Sequence, residues 1–396
     1  MTPLDGMTVL DLTRVLSGPY CTMLLADMGA RVIKIERPGR GDDTRGWGPP
    51  FIEGESAYFL SINRNKESVA LDFKRPEGRG ILDRLIAGSD VLVENFRPGT
   101  LARLGLDYQA LAARHPRLVY CSISGFGQTG PRSAEAGYDA VMQAEGGLMS
   151  ITGAADGPPF RLGVAIADIV SGMFAAQGIT LALLARERTG RGQEVDVAML
   201  DSVAALLTYQ AAIYFATGSA PSRMGNRHPT IVPYETFSAA DGEFVLAVGN
   251  DDQWRRFCAV AGFQDEGRFA TNRGRVTRYE ELKPMLEERL RGRTRADWIE
   301  RFASAGVPCG SVRDLHDVFT DPQLAARGMV TELTHQTIGQ LHLLGVPIKL
   351  SGTPGSVRTP PPTLGQHTES VLTNDLGLAA SDIHALRSGG VIGTPH

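Results

Sequence analysis

Short apolar runs alternate with helix-length stretches over residues 1–130. Met7–Leu12, Val32–Glu36, Ser68–Asp72, Val91–Glu94 and Leu118–Ser124 are brief and rich in aliphatic side chains, the pattern of buried strands. Pro19–Met28 and Gly78–Ala87 carry helical spacing, the first stopped by Gly29, and Thr100–Leu104 starts a further helix. This alternation predicts an α/β fold, a parallel sheet covered by helices on both faces. In such sheets, ligands gather beyond the carboxyl ends of the strands. A helical block from Ile169 to Phe215 follows.

At Thr217 the texture changes. Thr217–Pro233 is polar, rich in Gly and Pro and without an apolar period, so it reads as a linker or an ordered loop. Tyr234–Val248 holds two strand-like runs around Ala240-Asp-Gly, a hairpin signal. Trp254–Phe302 is helical and densely charged, and Gly306–Val312 is strand-like. These features predict a large domain over 1–216, a linker over 217–233, a smaller α+β domain over 226–325 and a return to the large domain over 326–396.

Composition narrows the function. The chain has 40 basic and 44 acidic side chains among 396 residues, a net charge of −4 that argues against nucleic acid as a partner. The start lacks the basic and apolar regions of a signal peptide. Gly163–Ala185 is long and apolar enough to suggest a membrane span, but it carries Asp168 and many small residues, so it reads as a buried core helix. The four cysteines, Cys21, Cys121, Cys258 and Cys309, are widely separated and suit a reduced cytoplasm. Neither they nor the histidines show metal-ligand spacing, so no metal is expected.

Gly125-Phe-Gly127-Gln-Thr-Gly130 follows a strand and matches a dinucleotide fingerprint, yet no acidic strand end follows at the required distance. A glycine loop approaching a ligand is the better reading. Asp168 stands near a helix start, where a carboxylate is either a functional anion or a cap on the backbone donors; the local pattern alone does not separate the two. Arg37, Lys74, Arg75, Asn95, Phe96, Arg97 and Arg103 each fall just beyond a strand. Gathered on one rim, they would suit a ligand with several phosphates and a flat base.

With these motifs, the chain resembles the class III coenzyme A transferases, the formyl-CoA and carnitine-CoA transferase family. The resemblance rests on Val9-Leu-Asp-Leu-Thr, Gly29-Ala-Arg-Val-Ile-Lys-Ile-Glu-Arg37, Leu71-Asp-Phe-Lys74, Val93-Glu-Asn-Phe-Arg-Pro-Gly99, Ser124–Pro131 and Thr189-Gly-Arg-Gly-Gln193. It implies a Rossmann-like large domain, a smaller domain and two chains interlinked like rings in a homodimer. It implies Asp168 as nucleophile, kept ionised by the helix start. It further implies CoA contacts at Val15, Arg37, Leu71, Lys74, Asn95, Phe96, Arg103 and Tyr138. CoA and acyl-CoA are then substrates, with a small carboxylic acid as acceptor and no tightly bound cofactor.

The same family contains α-methylacyl-CoA racemases, the alternative function. Their catalytic histidine would fall where this chain has Tyr138, and a phenol is a poor base at neutral pH. Leu16 stands where formyl-CoA transferases have glutamine, against an oxalate-type acceptor. The loop Gly225-Asn-Arg-His-Pro229 resembles members that use succinyl-CoA with dicarboxylic acids, with Arg227 or His228 pairing a distal carboxylate or serving in a linker.

Overall fold

The computed structural model describes residues 1–393 and divides into two compact units. The first comprises Met1–Leu148, Leu162–Tyr209 and the described residues from Pro322 on; the second comprises Met149–Arg161 and Gln210–Asp321. The second unit therefore reaches beyond the expected 226–325 on its N-terminal side.

The first unit is built on six parallel strands: β1 (Thr8–Asp11), β2 (Arg31–Glu36), β3 (Lys66–Ala70), β4 (Val91–Glu94), β5 (Val119–Ser124) and β6 (Glu194–Ala198). Their order is β3-β2-β1-β4-β5-β6, every pair parallel. The order reverses between β1 and β4, and that switch point opens a crevice at the strands' carboxyl ends. β6 is a correction: it lies inside the block expected to be helical throughout. A turn at Gly190 (φ 70) ends the preceding helix, and Glu-Val-Asp-Val-Ala then runs as a short edge strand. Thr100–Leu104 also differs, forming a single 3-10 turn (Ala102–Leu104) closed by Gly105 at φ 59, before the helix Tyr108–Arg114.

Helix α1 (Ser17–Asp27) follows β1, α2 (Pro76–Ala87) follows β3, and α3 (Asp139–Glu145) leads to the long α4 (Ile166–Thr189). α4 has the length and composition of a membrane span, but Ala167, Ala175, Ile179 and Ala182 bury one side of it with Val9, Cys21 and Val93 of β1, α1 and β4. Gly172 permits the approach of α1: a Cβ there would stand 2.6 Å from the Ser17 carbonyl oxygen. The C-terminal stretch returns to β3, where Ser68 N–H donates to His367 Nδ1 at 3.2 Å and Leu71 bridges Ile392.

The strands around the crevice break their apolar pattern with Asp11, Lys34, Glu36 and Lys66, all buried. Isolated charges there would be untenable, so they pair. Lys66 Nζ lies 3.1 Å from Asp11, and Lys34 Nζ 2.9 Å from Asp42. Burial pushes the Asp11 carboxyl up, but Lys66 and Lys34 outweigh it and hold it down to about 2.

In the second unit, β7 (Tyr234–Ala239) and β8 (Gly242–Ala247) form the expected hairpin, and β9 (Cys309–Ser311) adds to β8. Against this sheet, Trp254, Phe257, Phe302 and Trp298 stack in series with ring centroids 5.3, 5.3 and 5.1 Å apart. The expected helical stretch Trp254–Phe302 is four helices, Asp251–Ala261, Asn272–Thr277, Tyr279–Leu290 and Arg295–Ser304.

Candidate active site

Asp168 is the third residue of α4, not its cap. The capping role falls to another carboxylate: Asp139 Oδ1 accepts from the Ala167 N–H at 2.9 Å, and Gln143 Nε2 donates to Asp139 Oδ2 at 2.8 Å. Asp168 is thus free to face α1, whose first residue, Ser17, shares a cavity with it and favours the ionised carboxylate through its hydroxyl and backbone N–H. Ser17 opens α1, so its N–H is one of the donors a helix start leaves without an internal partner. Two helix N-termini converge on one carboxylate.

The electrostatic result differs from the sequence expectation. Burial, and then the like charge of Asp139, push the Asp168 carboxyl up to about 7, and the Ser17 hydrogen bonds offset them only in part. The helix start alone does not keep Asp168 fully ionised at neutral pH. Tyr58 feels the same surroundings: burial and the Asp168 and Asp139 charges push its phenol up to about 12.

Asp168 lines a cavity with Arg14, Val15, Ser17, Asn95, Phe96, Arg97, Gly125, Gly137 and Tyr138. The glycines are needed for close approach, since a Cβ on Gly125 would stand 2.8 Å from the Gly137 Cα. The adjoining cavity is lined by Arg14, Lys34, Arg37, Arg40, Leu71, Lys74 and Phe96. Arg14 and Phe96 line both, with the guanidinium 5.4 Å from the ring centroid. One cavity offers Arg37, Arg40 and Lys74 beyond β2 and β3, alongside the carboxylates Glu36, Asp42, Asp43 and Asp72, and the other carries Asp168 in its lining.

Of the residues singled out in the sequence, the two cavities gather Val15, Arg37, Leu71, Lys74, Asn95, Phe96, Tyr138 and Asp168. Arg103 lines neither; it is exposed on the turn before Gly105, with its guanidinium 3.5 Å from the Thr100 hydroxyl. Arg227 and His228 belong to the second unit. There the Arg227 guanidinium stacks 3.3 Å over the Tyr279 ring, and His228 lies beside Tyr234 with its imidazole pushed down by burial. Sequence reasoning missed Ser17, Asp139, Gly172 and Arg14. The only local hint is the small pair Ser17-Gly18 at a helix start, which allows close approach.

A model of the CoA-transferase family III matches residues 4–368. The chain is 45% identical to a mouse succinyl-CoA:glutarate CoA-transferase over 99% of its length and 91% of that protein. It is 44% identical to a succinate–glutarate CoA-transferase of Agrobacterium fabrum, covering 93% of this chain and 95% of the other. Among solved structures, a CaiB/BaiF family protein from Brucella suis superimposes with a TM-score of 0.83 at 44% identity, over 94% of this chain and 99% of that one. The chain belongs to the CoA-transferase family III and is a CoA transferase.

Proposed function

We propose that the protein moves CoA from succinyl-CoA to a dicarboxylic acid through a covalent relay on Asp168. The observation that carries this reading is the Asp168 carboxylate, beside Ser17 in a cavity that shares Arg14 and Phe96 with one that holds Arg37, Arg40 and Lys74. The glutarate-using relatives support the substrate pair. Carboxylates are weak nucleophiles, and a covalent intermediate divides one hard acyl transfer into easier ones.

Asp168 attacks the thioester carbonyl, giving an acyl-aspartyl anhydride and CoA thiolate. The thiolate attacks the aspartyl carbonyl, giving an aspartyl-CoA thioester and releasing the donor acid with one oxygen from Asp168. The acceptor carboxylate then attacks the thioester, and the returning thiolate takes the new acyl group, leaving one acceptor oxygen on Asp168. Each step builds an oxyanion beside the Ser17 donors, and one such donor contributes roughly 3–4 kcal/mol in known cases. Arg37, Lys74 and Arg40 meet the CoA phosphates and Phe96 the flat base.

The protein works as a cytoplasmic homodimer of interlinked chains in this reading. Support comes from the exposed apolar residues Met173, Leu181 and Leu184 on α4, a face suited to a second copy, and from four cysteines that all stay free. Succinyl-CoA offered to a panel of mono- and dicarboxylic acids, read by mass spectrometry, tests the function. New dicarboxyl-CoA products are expected. Exchange of an α-proton with deuterated solvent in the absence of acceptor would instead identify a racemase.

A further inference from the structure

Val15 has φ 69. A β-branched side chain in the left-handed region is disfavoured by its own sterics and persists only where its surroundings fix it. Those surroundings are side chains acting on successive backbone groups. The Thr13 N–H donates to Asp11 Oδ1 at 2.8 Å, and its carbonyl accepts from Lys34 Nζ at 2.9 Å. The Arg14 N–H donates to Asn95 Oδ1 at 2.9 Å, and its carbonyl accepts from Asn95 Nδ2 at 2.7 Å. The Val15 N–H donates to Asp42 Oδ1 at 3.2 Å.

Asp42 is itself fixed. Its Oδ1 accepts from the Thr44 N–H at 3.0 Å and the Thr44 hydroxyl at 2.9 Å, and its Oδ2 from Lys34 Nζ at 2.9 Å. Neither the Asp42 nor the Lys34 side chain has any solvent exposure. A buried ion pair is weak as a source of stability, because desolvating both charges offsets their attraction. It does hold a group in one place. Two residues beyond Val15, Ser17 lines the same cavity as Asp168.

We propose that Asp42 is a positioning residue for the transfer reaction: by taking the Val15 N–H it holds that residue in the left-handed conformation, which sets the Ser17 donors against the Asp168 carboxylate. This rests on the reading of Asp168 as nucleophile. The left-handed turn is the part glycine adopts unaided, so the role has a specific signature.

The test compares Asp42→Asn, Val15→Gly and the double variant in the full chain. It measures kcat, KM for succinyl-CoA and the rate at which a covalent adduct appears on the peptide holding Asp168. Asp42→Asn is expected to lower kcat and the adduct rate about tenfold or more, since sub-ångström misplacement is expensive in catalysis, with KM nearly unchanged. In the double variant, Val15→Gly is expected to restore much of that loss. An adduct rate unchanged by Asp42→Asn, or a loss that Val15→Gly leaves in place, overturns the proposal. Should Asp42→Asn fail to fold, Thr44→Val removes one bond to Asp42 and leaves its pair with Lys34. A smaller fall that Val15→Gly reverses supports the role, and an unreversed or absent fall overturns it. A wild-type protein that never forms the adduct removes the nucleophile reading itself, a result distinct from both.

Discussion

The Asp168 carboxylate shares a cavity with Ser17, whose hydroxyl and backbone N–H favour its ionised form, and Gly172, one turn further along α4, lets the two helices come close enough for it. The pair joins the start of α1, beside the sheet's switch point, to the start of α4. Both helices present a positive dipole end to one spot, and the Ser17 N–H is one of the donors that the start of α1 leaves without a partner inside the helix. The Ser17 groups offset part of what burial and Asp139 cost the anion, and in the proposed relay they face the tetrahedral oxyanion.

Removing the hydroxyl leaves the backbone donor in place. Ser17→Ala is expected to lower kcat about tenfold to a hundredfold, below the full loss seen for a whole oxyanion donor, with KM for the acyl-CoA little changed. It also removes one of the bonds that lower the Asp168 pKa, so the acidic limb of the rate profile moves to higher pH. Steady-state kinetics over a pH series checks both.

In the proposed relay Asp168 attacks as the anion, and its carboxyl is pushed up to about 7 by burial first and Asp139 second. The rate of the first acylation is therefore expected to rise with pH, level off above about 7 and fall tenfold per unit well below it. Asp139→Asn removes the like charge while preserving shape. It should move that limb to lower pH, as single-turnover rates would show.

Gly172 has no room for a methyl group. A Cβ would meet the Ser17 carbonyl oxygen at 2.6 Å and the Cys21 N at 3.3 Å, both of them backbone atoms. Gly172→Ala is expected to separate α1 from α4, lower kcat by at least tenfold and destabilise the fold by about 1–3 kcal/mol, the usual range for overpacking. Thermal melting and turnover measured on the same preparation test this.

A carboxylate kept partly dry beside another one strains the fold. Because the folded pKa of Asp168 lies above its unfolded value of 3.8, ionising it opposes folding: the penalty is absent below pH 4, grows as the pH rises and is complete above about 7. Asp168→Asn is therefore expected to stabilise the protein by about 1–2 kcal/mol at pH 8, discounting the full shift for the carboxylate's partial solvent access. The difference should vanish near pH 4. Denaturant melts at the two pH values measure it.

The sheet was legible in the sequence where strands are buried on both faces. β1 to β5 were each expected close to where they lie, and Val91–Glu94 has the bounds read from it, while the strand expected at Ser68–Asp72 begins two residues earlier because Lys66 and Glu67 give it a polar start. β6 was not, because Glu194 and Asp196 give an edge strand a polar face and the apolar helix α4 leads straight into it. Asp168 stood out as a carboxylate within an apolar helix. Ser17, Asp139 and Asp42 did not, because a serine and an aspartate at helix starts and an aspartate in a polar loop have nothing local to mark them. Their roles arise only when the strand order brings α1, α3 and α4 to one place. The upward shift at Asp168 was hidden for the same reason: the like charge of Asp139 comes from another helix.

The relay on Asp168 is tested most directly with isotope. An acceptor acid labelled with oxygen-18 in its carboxylate, turned over once with succinyl-CoA in ordinary water, should leave one labelled oxygen on the side chain of Asp168, read by peptide mass spectrometry. A second turnover with unlabelled acid should carry that oxygen into the released succinate. An unlabelled Asp168 in a turning-over enzyme, with solvent oxygen in the released acid instead, would contradict the relay.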